Sequence, residues 1–334
     1  MHMADALVAP VVAGTMYLCS TVAATYSIKK VRLEDNPKTI PVMGVMGAFV
    51  FATQMINFTI PGTGSSGHLA GGMLLSALLG PYAGFLTMIG VLLIQCLMFA
   101  DGGILALGAN IWNMAFYGCF IGALLIWRTI MRSGVSKKKI VIASMLGCII
   151  TLQLGAFSVT LETLASGVTE LPFITFISVM QPIHLAIGFV EGLITSAILC
   201  FVYEARPELL WGIGERDRAS EARVSLTKMV AIFGAITVVI AGGLSLLASS
   251  LPDGLEWSIE RLTGSTEVSA SGDLYNLVAK IQQTTAVLPD YSFKGSDSVV
   301  GTSFSGIIGG FIVVTLCVVC CYLFRFFRRT KRNE

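Results

Sequence analysis

The chain opens Met1-His2, and these two residues carry three nitrogens that can chelate one ion. The α-amine, the His2 backbone nitrogen and a His2 ring nitrogen close adjacent rings once the amide has lost its proton. Such a set lies in a plane and leaves one position open. Square-planar nitrogen ligation points to Ni(II) or Cu(II), and low-spin Co(II) tolerates the same arrangement. Only three histidines occur: His2, His68 and His184. His68, in SSGHLAGG, precedes an unusually short apolar run and is the candidate fourth ligand. Plainer readings stand beside these. His68 could be a loop histidine near a helix start, His184 an interfacial histidine just after Pro182 at a helix start, and Asp5 the cap of the first helix.

Polar side chains within apolar runs are the next candidates, because they are expensive in a membrane. Gln95, Asn110 and Asn113 fall in LLIQCLMFADGGILALGANIWNM, and Glu191 lies in the seventh run with Gln181 and His184 at its outer end. They could orient metal-bound imidazoles or line a path; helix–helix hydrogen bonding is the alternative. The methionines, Met43, Met46 and Met55 among them, read as packing. Most of the eight cysteines sit in apolar runs, as small hydrophobes do, and form no disulfide framework.

The elements that must position these groups are membrane helices. Of 334 residues, 54% are hydrophobic and 13% charged, and the mean hydropathy is +0.79. A soluble domain carries roughly 25% charged residues, and a β-barrel would alternate in segments of about ten. The expected class is therefore an all-α polytopic membrane protein. Apolar runs extend over about 6–26, 40–58, 69–79, 82–100, 104–127, 140–165, 183–203, 229–249 and 304–324. The organisation read from them is a seven-helix domain (1–203), a cytoplasmic linker (204–228) and a two-helix hairpin (229–334) around a small extracytoplasmic segment (about 251–303).

Basic residues set the orientation. Lys29, Lys30 and Arg32, then Arg128, Arg132 and Lys137 to Lys139, then Arg206, Arg216, Arg218 and Arg223, and finally the tail RFFRRTKR, all fall on one side. That side is cytoplasmic if the N terminus is outside. A cleaved signal peptide would carry its charge before the apolar region; here the charge follows, so Met1 is expected to remain, outside, on the same face as His68.

Four stretches, MHMADALV, GSSGHLAGGMLLSALLGPYAG, LLIQCLMFADGGILALGANIWNM and QPIHLAIGFVEG, resemble the CbiM/NikM family. These are substrate-binding subunits (S components) of energy-coupling factor importers for cobalt and nickel. SLPDGLEWSIERL is similar to the PDGLE segment of NikN-type partner subunits, so the chain resembles a NikMN-type fusion. The resemblance implies a prokaryotic inner-membrane protein that takes Ni(II) or Co(II) as transported substrate, without an organic cofactor. It maps the metal nitrogens onto Met1, His2 and His68. One departure is visible: the family start is commonly Met-His-Ile followed by an acid and Gly. The resemblance also implies partners, a coupling membrane subunit (T component) and two ATPase subunits (A components), and no nucleic acid. No G-x-x-x-x-G-K-[ST] phosphate loop occurs in this chain. Ala9 and Ala13 form a small-xxx-small face that could admit the coupling subunit, or could serve an internal contact.

Competing readings are an ion-coupled secondary carrier with Glu191 as its proton site, an intramembrane metalloenzyme and a membrane metal sensor. The second wants two histidines at helical spacing plus a general base; the third wants a sizeable cytoplasmic domain. The sequence offers neither feature. Nickel is favoured over cobalt through the PDGLE resemblance.

Overall fold

The structure, a computed structural model, describes residues 1–31, 39–167, 171–214, 223–266, 268–295 and 299–333. Arg32, Arg216 and Arg218, on which part of the orientation rests, lie outside them. A short turn over Asp5–Leu7 leads into α1 (Pro10–Lys30) and α2 (Thr39–Gln54). A two-stranded antiparallel hairpin follows, β1 (Phe58–Ile60) with β2 (Ser65–Gly67), pairing Phe58 with Gly67. Next come α3 (Gly72–Leu79), α4 (Pro81–Phe99), α5 (Leu107–Met131), α6 (Lys137–Ser166) and α7 (Phe173–Ala205). The C-terminal part holds α8 (Leu226–Gly242), the short helices α9 (Gly254–Thr263) and α10 (Asp273–Thr285), and α11 (Val299–Asn333).

Each of the nine apolar runs contains a helix. Among the described residues six helices are long and apolar enough to cross a membrane, and α2 and α8 are shorter apolar ones. A span needs about 20 residues, so the eight residues of α3 reach only part-way. Large apolar side chains left uncovered, such as Val11, Ile174 and Phe311, at 80%, 74% and 69% exposed, make a surface that only lipid solvates well. The protein is a multi-pass, mostly helical membrane protein.

Helices α6 and α7 pack along their length, α3 wedges between α4 and α5, and α11 and α8 lie against α2. The C-terminal pair is thus built onto the N-terminal bundle through α2. Below, Trp211 donates its N–H to the Ala77 carbonyl at 2.7 Å, and Trp127 Nε1 donates to Trp211 O at 2.7 Å.

Four local expectations change. The loop before His68 contains the β-hairpin. Helix α7 begins at Phe173 rather than Ile183, so Pro182 stands inside it and His184 is not at its start; proline is tolerated within membrane helices where neighbours satisfy the freed groups. Helix α8 ends at Gly242 and a tight turn over Leu244–Leu247 follows. Asp5 does not cap α1, whose cap is Ala9 with no side-chain bond.

Candidate metal site

The first eight residues fold inward instead of trailing outside. Met3 and Val8 are fully buried. Asn110 pairs with both backbone groups of Met3, accepting from its N–H at 2.7 Å and donating to its carbonyl at 3.1 Å, as a neighbouring strand would. Gly103 N–H adds a bond to Met3 O at 2.9 Å, and Asp5 Oδ1 accepts from Ala106 N–H at 3.0 Å. The segment is thereby pinned to the turn between α4 and α5.

This anchoring brings the terminal amine to His68, whose Nε2 lies 3.1 Å away. Two nitrogens bound at right angles about 2.0 Å from one ion stand about 2.8 Å apart, so the pair is close to the spacing of adjacent ligands. His68 Nδ1 faces Leu69 O at 3.0 Å, which assigns the proton to Nδ1 and turns the Nε2 lone pair toward the amine. The His2 and His68 rings stack, with centroids 5.3 Å apart and planes 23° from parallel. His2 Nδ1, the ring nitrogen that closes a six-membered chelate with its own amide, meets Asp101 Oδ1 at 3.0 Å, and Nε2 meets Gln95 Oε1 at 3.2 Å. Chelation through Nδ1 requires its release from Asp101. Burial, with the charge of the amine, lowers the His2 imidazole to about 4, so it is a neutral donor at physiological pH.

A residue between α8 and α9 completes the cluster. The amine donates to Asp253 Oδ2, which also lies 3.7 Å from His68 Nε2. Burial opposes the Asp253 charge, yet the ammonium and His68 hold the carboxyl well below the usual carboxylate range. The position of Asp253 follows from its neighbours. Ser66 N–H donates to Pro252 O at 2.8 Å, extending the hairpin by one strand-like contact. Asp253 caps α9, accepting from Leu255 and Glu256 N–H at 2.8 and 2.9 Å, while Glu256 returns a bond to Asp253 N–H at 3.1 Å. Gly254 lets this turn press on α7, since a Cβ there would stand 3.0 Å from His184 Cε1. A cavity of about 560 Å³ opens from the cluster, lined by His2, His68, Asp101, Asp253, Glu256 and Tyr291 among others.

The remaining candidates divide. Gln95 and Asn110 touch the N-terminal segment directly. Asn113 donates to Glu162 Oε2 at 2.7 Å and lies 3.5 Å from Met3 Sδ. Glu191 accepts from Gly71 and Ala70 N–H at 2.9 and 3.2 Å. It thereby holds the left-handed Gly71 turn, φ +78°, that carries the chain from His68 into α3. Gln181 is elsewhere, exchanging bonds with Gln153 across the α6–α7 contact at 2.9 and 3.3 Å. His184 is buried beside Gly254. Ala13 is buried within the chain and Ala9 half-buried, a placement that fits the internal contact. Among the described residues no three His, Cys, Asp or Glu side chains are arranged to hold a metal.

Sequence reasoning passed over Glu162 and Tyr291. Glu162, an acid within an apolar run, carried the usual signal. Tyr291, whose hydroxyl bonds Asp101 Oδ2 and accepts from Gln95 Nε2 at 3.3 Å, offered none, because its partners are distant in sequence.

Residues 2–209 match the CbiM family, described as a cobalt uptake substrate-specific transmembrane region, and residues 227–326 match the PDGLE domain. The chain belongs to the CbiM family. This CbiM-family chain is 34% identical to a fused nickel transport protein, NikMN, of Archaeoglobus fulgidus, over 95% of its own length and 96% of the relative's. It is 29% identical to the fused nickel transport protein NikMN of Rhodobacter capsulatus, over 79% and 77%. The crystal structure of a truncated transition metal transporter superposes with a TM-score of 0.54 at 30% identity, covering 61% of this chain and 99% of that one. The chain is a metal-transport membrane protein.

Proposed function

We propose that this chain is the substrate-capture and translocation subunit of an energy-coupling factor importer for Ni(II) or Co(II). The ion is held in a square plane by the Met1 amine, the His2 backbone and ring nitrogens, and His68. The observation that carries this reading is the 3.1 Å approach of His68 Nε2 to the amine with the His2 ring stacked alongside. Gln95 orients His2 through Nε2, Asp101 holds Nδ1 until the ion takes it, Asn110 holds Met3, and Glu191 holds the His68 loop. The relatives' names favour nickel, while the family description names cobalt uptake.

The N terminus and the 251–303 segment face outward, the 204–228 linker and C-terminal tail inward, and residues 1–203 and 229–334 form the two functional parts. ATP hydrolysis belongs to separate A components that act through a T component. The ion-coupled carrier reading has less support, since both Glu191 oxygens already accept backbone N–H groups.

The test inserts one residue between Met1 and His2. The insertion creates a four-nitrogen chelate that no longer needs His68. The wild type is expected to bind about one Ni(II) or Co(II) in a His68-dependent manner, and the insertion to remove that dependence or abolish uptake. Indifference of both binding and uptake to the insertion rules the amine out as a ligand.

A further inference from the structure

A second cavity, of about 10 Å³, lies behind the nitrogen cluster, walled by Met1, His68, His184, Asp253 and Gly254 among others. That is the room of a single water or bare cation. One wall atom has no partner: His184 Nε2, on a side chain only 1% exposed. His184 Nδ1 faces Met180 O at 2.8 Å, so it bears the proton and Nε2 presents a lone pair. Leaving a buried polar atom unsatisfied is costly, and an apolar side chain at 184 would avoid that cost. Gly254 preserves the space, because a Cβ there would stand 3.2 Å from Nε2.

A third cavity of about 10 Å³ continues inward, with Ala70, Met114 and Leu152 common to both, and Asn113 and Glu191 in its wall. His184 and Glu191 are seven residues apart, on one face of α7. The sequence of groups is thus an outer nitrogen cluster, then an orphan imidazole nitrogen in an ion-sized space, then a polar pair deeper in the bundle.

We propose that His184 Nε2 and His68 form a second, inner position for the transported divalent cation, occupied when the ion leaves the N-terminal chelate. This rests on the function proposed above. Imidazole suits late first-row ions, and His68 borders both positions, so the ion can pass without losing every nitrogen at once.

The experiment measures Co(II) binding by absorption and titration on the full chain in detergent, in His2→Gln and in His2→Gln combined with His184→Gln. Glutamine at position two is bulky enough to keep Met1. His2→Gln is expected to lose the square-planar spectrum and retain a weaker high-spin Co(II), and the double variant to bind at least tenfold more weakly still. The inner position is overturned if His2→Gln binds no Co(II) up to millimolar concentration, or if adding His184→Gln changes nothing. Should the double variant not fold, X-ray absorption of Co(II) in His2→Gln decides: two imidazoles support the proposal, and one or none overturns it. Failure of the outer-site reading looks different, because His2→Gln would then keep the wild-type spectrum and affinity while the effect of His184→Gln still reports on the inner position.

Discussion

The Met1 amine and the Asp253 carboxylate form a partly buried ion pair that joins the first residue of the chain to the segment before α9. The contact places a fixed negative charge on the nitrogen that a captured cation would need, and it ties the N-terminal half of the molecule to the C-terminal half.

Replacing Asp253 by Asn should therefore destabilise the protein by about 1–2 kcal/mol, since a partly buried ammonium loses its counter-charge but keeps an acceptor. Asn still caps α9 well, so the loss reports the charge. The carboxyl sits well below its ordinary range in the folded protein. Its contribution is complete above the unfolded value of about 3.9 and fades as pH falls toward the folded one. Thermal unfolding followed against pH should show the wild type losing stability below about pH 4, with a shallower slope in Asp253→Asn.

Glu191→Gln should keep metal uptake and cost about 1 kcal/mol, because the amide oxygen can still accept from one of the two backbone N–H groups. Glu191→Ala should weaken metal binding and stability together, as the turn after His68 loses both acceptors. An uptake assay under an imposed proton gradient is the decisive measurement; abolition of transport by Glu191→Gln in well-folded protein would favour the carrier reading.

Gly71→Ala is expected to loosen metal binding by displacing His68. A left-handed non-glycine residue costs roughly 1–2 kcal/mol, and the new Cβ would stand 2.4 Å from Val50 Cγ1. Pairing the change with Val50→Ala should recover part of the affinity in calorimetric titrations, the overlap being relieved and the backbone strain remaining.

Tyr291→Phe removes the hydroxyl that links Gln95 to Asp101. Both bonds exist in the metal-free fold and each is worth about 0.5–1.5 kcal/mol, so the melting temperature should fall, and affinity with it about two- to twelvefold as Gln95 holds His2 less firmly. An unchanged affinity would mean that Gln95 holds His2 without it.

Much of this was legible in the sequence. Apolar runs located the helices, because a membrane helix must satisfy its own backbone and so shows as an unbroken stretch. Met1, His2 and His68 stood out by type and place. Pro182 misled, since proline normally marks a helix start, yet within the bundle it sits mid-helix and carries His184 inward. Gln181 looked like part of the site because it neighbours His184, although helical geometry turns it toward Gln153. Asp253 carries no local signal in the sequence; its partner is the amine of a residue some 250 positions away, and no local pattern encodes so long a contact. Asp5 was read as a possible helix cap for the same reason: local rules assign it to α1, whereas tertiary packing gives it to Ala106.

The hairpin that precedes His68 has one further consequence. Its strand β2 bonds to Pro252, Ser66 Oγ donates to Leu251 O at 2.7 Å, and Trp257 Nε1 donates to Thr63 O at 3.1 Å. The last stretch before the fourth candidate ligand is therefore shaped jointly by two portions of the chain that the linker keeps together. Tethering makes their encounter intramolecular, at an effective concentration on the order of millimolar. Cut at the linker, the two fragments would have to find each other by diffusion in the bilayer, and metal capture would become dependent on expression level. Joined, every copy carries its own outer segment in fixed one-to-one proportion, and grafting that segment from a relative would exchange the surroundings of His68 without touching any chelating residue.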